Sequence, residues 1–187
     1  MENEKCVDSQ KAVFVIDIQE DYTGDTAKAP FPYKDSSNLI TKVNKIIEVA
    51  SEKNIIVVYI RQEFDGVLGK MFSKLFCNGT AIKGNQGTEI DKRINIKSNN
   101  IFSKGAPDAF SNSVLEEFLK KHRVNTIYLV GLDAEYCVYA TAKGALKRGY
   151  NVSIIKDGIA LKAEWKWNEL IKKYERDGIK IISSEDF

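Results

Sequence analysis

Short, wholly apolar runs alternate with amphipathic stretches along the chain, and that alternation predicts its fold class. Ala12-Val13-Phe14-Val15-Ile16 has no polar break, as expected of a strand buried on both faces. Asp35 to Glu52 follows a helical period, with Leu39, Val43, Ile46, Ile47 and Ala50 on one face and Asp35 or Ser36 as N-cap. Ile55 to Ile60 predicts a second buried strand. Residues 62 to 98 are rich in Gly and Asn, keep neither period, and predict a long loop over one end of the sheet. A short strand follows at Asn100 to Ser103, then a helix at Ser113 to His122 with Val114, Leu115, Phe118 and Leu119 apolar. Thr126 to Val130 predicts a strand, Tyr136 to Arg148 an Ala- and Gly-rich helix, and Val152 to Ile155 a strand. Glu164 to Tyr174 predicts a helix and Ile179 to Ile182 a last strand. Such alternation implies right-handed βαβ units and an α/β fold, with a mostly parallel sheet covered on both faces.

Composition narrows the class. The 187 residues suit one domain, 1–187, and 43% are apolar, enough for a full core. The net charge is only +2 and no basic stripe interleaves with aromatics, which argues against nucleic acid. No run approaches 18 apolar residues, and Met1-Glu2-Asn3-Glu4-Lys5 lacks the apolar core of a signal peptide, so neither membrane insertion nor secretion is expected. Cys6, Cys77 and Cys137 are odd in number and widely spaced, which fits reduced thiols in a cytoplasmic protein.

Three ionisable residues end three predicted strands: Asp17, Lys104 and Cys137. In open α/β sheets, ligands bind beyond the carboxyl ends of the strands. Cys137 stands after Thr126-Ile127-Tyr128-Leu129-Val130 and the turn from Gly131, where a helix begins. A helix N-terminus favours a thiolate and offers N–H groups to an oxyanion. The alternative for Cys137 is a small core residue, since free Cys is often buried. Asp17 alone also fits a cap or an ion pair, and most lysines are simply solvated. Together the three supply a thiol, a base and a cation, the set that nucleophilic catalysis needs. His122, the only histidine, sits in Lys120-Lys121-His122-Arg123 and reads as a solvated residue, so a Cys–His pair and a His-rich zinc site are not expected. Gly131 is followed by acids, and Asp133 and Glu135 would repel a phosphate.

Four ordered blocks resemble the isochorismatase-like cysteine hydrolases, the family that includes nicotinamidases and other small-amide hydrolases. They are Asp17-Ile18-Gln19-Glu20-Asp21-Tyr22; Gly87-Thr88-Glu89-Ile90; Lys104 with Ala109-Phe110; and Gly131 to Val138 followed by Thr141-Ala142. The resemblance extends from about residue 11 to 160. It implies a three-layer αβα, Rossmann-like fold with a six-stranded parallel sheet. It implies a triad of Asp17, Lys104 and Cys137, a cis peptide between Leu132 and Asp133, and an oxyanion hole from the N–H groups of Asp133 and Cys137. It also implies a homodimer or higher homo-oligomer. Nicotinamidases carry an Asp and two His metal ligands after the second strand. Here that region reads Arg61-Gln62-Glu63-Phe64-Asp65, without histidine, so no metal and no cofactor are expected.

The function expected is therefore hydrolysis of a C–N bond in a small amide or ureide through a thioester, without a metal. Tyr22, Phe110 and Tyr136 are expected as pocket walls, and Arg61 or Gln62 as ligands for a substrate carboxylate or carbonyl. The alternatives are a non-catalytic or redox-sensing doubly wound domain, or a vinyl-ether hydrolase of the isochorismatase type, which needs no nucleophilic cysteine. Trp165 and Trp167 alternate in a charged helix pattern, so one is expected at the surface, where an interface with a second copy would cover it.

Overall fold

The structure, a computed structural model, describes residues 9–27, 31, 33 and 35–187. Cys6 and the charged N-terminal residues lie outside the described residues. Six strands form one sheet: β1 (Gln10–Ile16), β2 (Ile56–Gln62), β3 (Ile101–Lys104), β4 (Val124–Gly131), β5 (Asn151–Ile159) and β6 (Lys180–Ile182). Their order is β3-β2-β1-β4-β5-β6, and every pairing is parallel. The helices are α1 (Glu20–Thr23), α2 (Ser36–Glu52), α3 (Gly66–Phe76), α4 (Ser113–Lys121), α5 (Tyr139–Lys147) and α6 (Trp167–Arg176).

Parallel strands need crossovers, and here the crossovers cover both faces of the sheet. On one face Val13, Val15, Val57, Tyr59 and Val130 pack against Leu39, Val43, Ile46 and Ile47 of α2. On the other, Phe14, Ile16, Val58, Ile60, Ile127 and Leu129 pack with Leu115 and Leu119 of α4, Ala142 and Ala145 of α5, and Leu170 and Tyr174 of α6. The strands are apolar on both faces because both faces are core, which is why period two is missing from their sequences.

Two expectations need correction, and a third, the N-cap of α2, holds in position but not in its side-chain bond. Residues 62–98 are not a structureless loop: α3 and a 3₁₀ turn, Gln86–Thr88, lie within them. Its sequence hides α3 because Gly66 and Gly69 interrupt it. Asp35 takes the N-cap position of α2, but in the left-handed region with φ 58° and without a capping side-chain bond. The helix expected from Tyr136 is instead a π-helical turn, Ala134–Val138, that runs into α5.

The sheet turns back on itself at β1. The chain builds β1, β2 and β3 outward in one direction, then returns to lay β4 on the other side of β1. The crevice between the carboxyl ends of β1 and β4 is the topological switch point, where this class of sheet binds ligands.

Candidate active site

Asp17 and Cys137 stand on the two sides of that crevice. Asp17 follows β1 directly, in the left-handed region with φ 53°, a conformation that Asp tolerates better than most side chains. Its N–H donates to Ile60 O at 2.9 Å, which pins the turn to β2. Gly131 lets β4 come this close: at its φ of 114° a Cβ would stand 2.0 Å from Ile16 O, so only glycine fits. The peptide between Leu132 and Asp133 is cis.

Lys104 enters from β3, in register with Gln62 of β2. Its Nζ lies 2.9 Å from Asp17 Oδ2, 3.3 Å from Cys137 Sγ and 2.6 Å from Gln62 Oε1. Lys104 and Asp17 are each 2% exposed. Burial pulls the Lys104 ammonium down, but Asp17 and Cys137 outweigh it, and its pKa sits above the ordinary lysine value. The Cys137 thiol is pushed far up, by burial first and by Asp17 second, while Lys104 pulls the other way. Burial and the facing carboxylate thus oppose the thiolate that the helix N-terminus favours. Asp17 Oδ1 is buried with no hydrogen-bond partner among the described residues.

Two glutamines hold this arrangement. Gln19 accepts from the N–H of Gln62 at 2.7 Å and donates to Gln62 O at 3.0 Å and Thr88 O at 2.9 Å. Gln62 in turn accepts from Lys104, and its own Nε2 is buried without a partner among the described residues. Thr141 of α5 accepts from the N–H of Ala109, tying the helix after Cys137 to the loop after Lys104. Gly87 passes so close to Asp21 that a Cβ would meet its carboxylate at 1.9 Å, and Asp21 accepts from the N–H of Ala81 at 2.8 Å. These contacts explain why Gln19, Asp21, Gly87, Ala109 and Thr141 accompany the three strand-end residues.

The other expected residues divide. Tyr22 lies beside the three, 9% exposed, its hydroxyl pKa raised by burial first and then by the Asp17 charge. Gln62 is present, but it holds Lys104. Arg61 points to the opposite face of β2 and is engaged: Nε donates to Ser103 Oγ, and the guanidinium meets Glu89 at 3.0 Å and Glu63 at 3.4 Å. Two carboxylates already neutralise it, which corrects its assignment as a substrate ligand. Phe110 is core, 5% exposed, between Phe14 and Tyr150 and under Arg148, and is no pocket wall. Tyr136 is 60% exposed at the surface, so it is not an apolar wall either.

Sequence reasoning missed Phe31 and Tyr33. Rings of Tyr22 and Phe31 lie 5.1 Å apart, and those of Phe31 and Tyr33 lie 5.6 Å apart, an aromatic series beside the crevice. Tyr33 donates to Asp133 Oδ2 at 3.1 Å, the N–H of Lys162 donates to the same oxygen at 2.9 Å, and the N–H of Glu135 donates to Oδ1 at 2.7 Å. The main-chain N–H of Asp133 donates to no acceptor among the described residues. A separate cavity of about 470 Å³ opens between Lys42 of α2 and Lys156, Leu161 and Trp167. It does not include the three strand-end residues, so the chemistry argued from them does not extend to it.

A doubly wound sheet with a polar cluster at its switch point defines the class as an α/β protein of the ligand-binding kind. Residues 11–186 match the family model described as Isochorismatase domain, and the chain belongs to the isochorismatase family of hydrolases, which has amidases among its members. It is 27% identical over 160 residues to an N-carbamoylsarcosine amidase from an Arthrobacter species, covering 81% of this chain and 60% of that one. It is 26% identical over 158 residues to an Arabidopsis thaliana protein described as a "Probable inactive nicotinamidase", covering 80% of each. The crystal structure of N-carbamoylsarcosine amidase from Thermoplasma acidophilum superposes with a TM-score of 0.79 at 23% identity, over 95% of this chain and 98% of that one, which establishes the shared fold.

Proposed function

We propose that the protein is a cysteine amidohydrolase that cleaves a C–N bond of a small amide or ureide through a thioester on Cys137. The observation that carries the reading is Lys104 Nζ within hydrogen-bonding reach of both Asp17 Oδ2 and Cys137 Sγ, at 2.9 and 3.3 Å, in a buried site. The amidase relative supports the substrate class.

In this reading the resting thiol gives its proton to Asp17 as sulfur attacks the carbonyl carbon. The free lone pairs of Asp17 Oδ1 suit that transfer. Lys104 holds Asp17 in place and stabilises the charge that passes between carboxylate and sulfur. The N–H groups of Asp133 and Cys137 hold the oxyanion. The tetrahedral intermediate collapses as Asp17 protonates the leaving amine; Asp17 then takes a proton from the water that attacks the thioester and passes it to the departing Cys137 sulfur, which releases the acid and restores the resting thiol. Tyr22, Phe31 and Tyr33 form the apolar wall. No step requires a metal, since proton transfer and oxyanion charge are met by the chain's own groups.

A redox-sensing role fits less well. Sensor thiols are low in pKa, whereas burial and the Asp17 charge push the half-buried Cys137 thiol up. Ammonia release from a panel of carboxamides and ureides tests the reading, with intact-mass measurement of the quenched enzyme. Turnover with an acyl adduct on Cys137 is expected. Ammonia release that survives Cys137→Ala would overturn the thioester step, whereas no ammonia from any amide but turnover of a vinyl ether by that variant would favour the isochorismatase-type reaction.

A further inference from the structure

α3 packs on the molecule through its smallest residues and turns its largest ones outward. Ser73 is fully buried and donates its hydroxyl to Thr80 O, and a Cβ on Gly69 would meet the Phe64 backbone at 3.3 Å. The opposite face carries Val67, Leu68, Met71, Phe72, Leu75 and Phe76, each between 48% and 84% exposed. They fall in two adjacent i, i+4 rows, 67-71-75 and 68-72-76, so they form one continuous stripe. Six of the eleven large apolar side chains exposed among the described residues sit on this one helix, which rules out ordinary scatter. The rings of Phe64, Phe72 and Phe76 follow one another at 5.6 and 5.0 Å, each tilted against the next, so the ridge is anchored to the molecule through Phe64. A surface helix of a monomer has the reverse polarity.

We propose that this face is the interface between two copies of the chain, with α3 packed antiparallel on α3 about a two-fold axis. Area supports a second copy. Six side chains at these exposures offer on the order of 700 Å² per chain, and two copies together reach the roughly 1,200–2,000 Å² of specific interfaces. Two parallel i, i+4 rows form ridges that fit the grooves of an identical helix, so one patch serves both partners. Charge agrees. Asp65 caps the start of α3 with its side chain 64% exposed, and Lys74 lies in its last turn. Asp65 is already paired with its own Lys83 at 2.7 Å, so an antiparallel pair gains from opposed helix dipoles and from a Lys74 brought near the acidic start of the partner helix. A lipid surface is the competing occupant, but α3 is only 11 residues long and has just Lys70 and Lys74 beside its apolar face, short of the basic face that holds such helices on anionic lipid. This places the interface away from Trp165, which is 80% exposed but isolated, with Lys166 over its ring; Trp167 packs against the core.

Light scattering at micromolar concentration should give twice the 21.1 kDa chain mass. Leu68→Lys/Leu75→Lys should return it to a single chain mass with an unchanged circular dichroism spectrum, while Trp165→Glu should leave the dimer intact. A wild-type protein of single chain mass overturns the proposal, and its binding to vesicles of equimolar phosphatidylcholine and phosphatidylserine would reassign the patch to lipid. A dimer unaffected by the double substitution overturns it equally. Should that variant misfold, Met71→Cys decides: it sits mid-stripe near the axis, so mild oxidation should link two copies in a way the parent chain does not. A dimer without that cross-link refutes the antiparallel pairing.

Discussion

Gln19 grips the backbone of Gln62 from both sides, accepting from its N–H at 2.7 Å and donating to its carbonyl at 3.0 Å. The two residues are 43 apart in sequence, and the grip fixes the end of β2 against the turn after β1. Gln62 passes the constraint on, because its Oε1 holds Lys104 Nζ at 2.6 Å. Gln19 therefore positions the ammonium without touching any reacting atom. Gln19→Ala should leave the N–H and carbonyl of Gln62 and the carbonyl of Thr88 unsatisfied, at about 1–3 kcal/mol each before water enters. It should also lower kcat roughly tenfold to a hundredfold with a smaller change in KM. Gln19→Glu keeps the acceptor but sets a buried carboxyl against the carbonyls of Gln62 and Thr88, so it should recover neither the stability nor the rate. Urea denaturation and steady-state kinetics check this; wild-type kcat in the Ala variant would refute the positioning role.

Cys137→Ser should abolish amide hydrolysis, by at least about a thousandfold, and leave the fold intact. Oxygen is close in size to sulfur, but a buried hydroxyl is far harder for Asp17 to deprotonate. Circular dichroism and melting temperature should stay near wild type. More than a few per cent residual ammonia release would remove Cys137 from the nucleophile role.

The Asp17–Lys104 pair separates stability from catalysis. Asp17→Asn leaves the buried Lys104 charge without a carboxylate, facing only Gln62, Cys137 and a neutral amide, and breaking one side of such a pair costs about 3–5 kcal/mol. Asp17→Asn/Lys104→Met removes the orphaned charge and should recover much of that loss, since an apolar replacement of a buried pair is often neutral. Activity should be absent from both variants, and adding Cys137→Ser to Asp17→Asn should make it little worse, because residues acting as one unit are not additive. Multiplicative rate losses would show that the residues do not share a step.

How far the sequence was legible follows from which contacts are local. The strands could be read because each is an apolar run buried on both faces, and the strand-end residues because parallel topology brings carboxyl ends together. The clasp of Gln19 on Gln62 could not be read, since it joins a side chain to backbone atoms across the sheet. The bond from Tyr33 to Asp133 spans 100 residues and follows no period. Phe110 was misplaced because an aromatic after a strand-end loop looks the same whether it lines a pocket or, as here, stacks on Tyr150. α3 was lost differently. Its stripe at 67-71-75 and 68-72-76 is in the sequence, but the flanking glycines and asparagines masked a helix whose apolar face, apart from the Phe64–Phe72 contact, is left uncovered by the described residues.

Chelators should leave activity unchanged, and added zinc or iron should not raise it. The carboxylates after β2 are already engaged: Glu63 meets Arg61 at 3.4 Å, and Asp65 caps α3 and meets Lys83 at 2.7 Å. No histidine joins them in that segment. Inhibition by EDTA that a divalent metal reverses would reveal a ligand set elsewhere and bring back substrates that need metal polarisation.

Stability should fall on the alkaline side, and the sign follows from the buried groups. The Cys137 thiol is raised in the folded state, by burial and then by Asp17, so the native protein keeps its proton above about pH 8.5, where an unfolded thiol ionises. Over that range the unfolded state binds fewer protons than the native state, and unfolding free energy declines with pH. One such group contributes a slope approaching about 1.4 kcal/mol per pH unit. Cys77, raised by burial, adds the same sign. Lys104, raised by Asp17 and Cys137 against its desolvation, contributes stability that is complete below the unfolded lysine value of about 10.4 and is lost as pH rises through its higher folded value. Tyr22, Tyr33 and Tyr174, all raised first by burial, steepen the decline above about pH 10. Urea denaturation across pH 7 to 11 should therefore show a flat region that gives way near the ordinary thiol value. Cys137→Ser should shallow the slope between about pH 8.5 and 10 by roughly one proton, because its hydroxyl does not titrate there. An unchanged slope in that variant would mean that Cys137 is not a protonated, buried thiol in the resting protein.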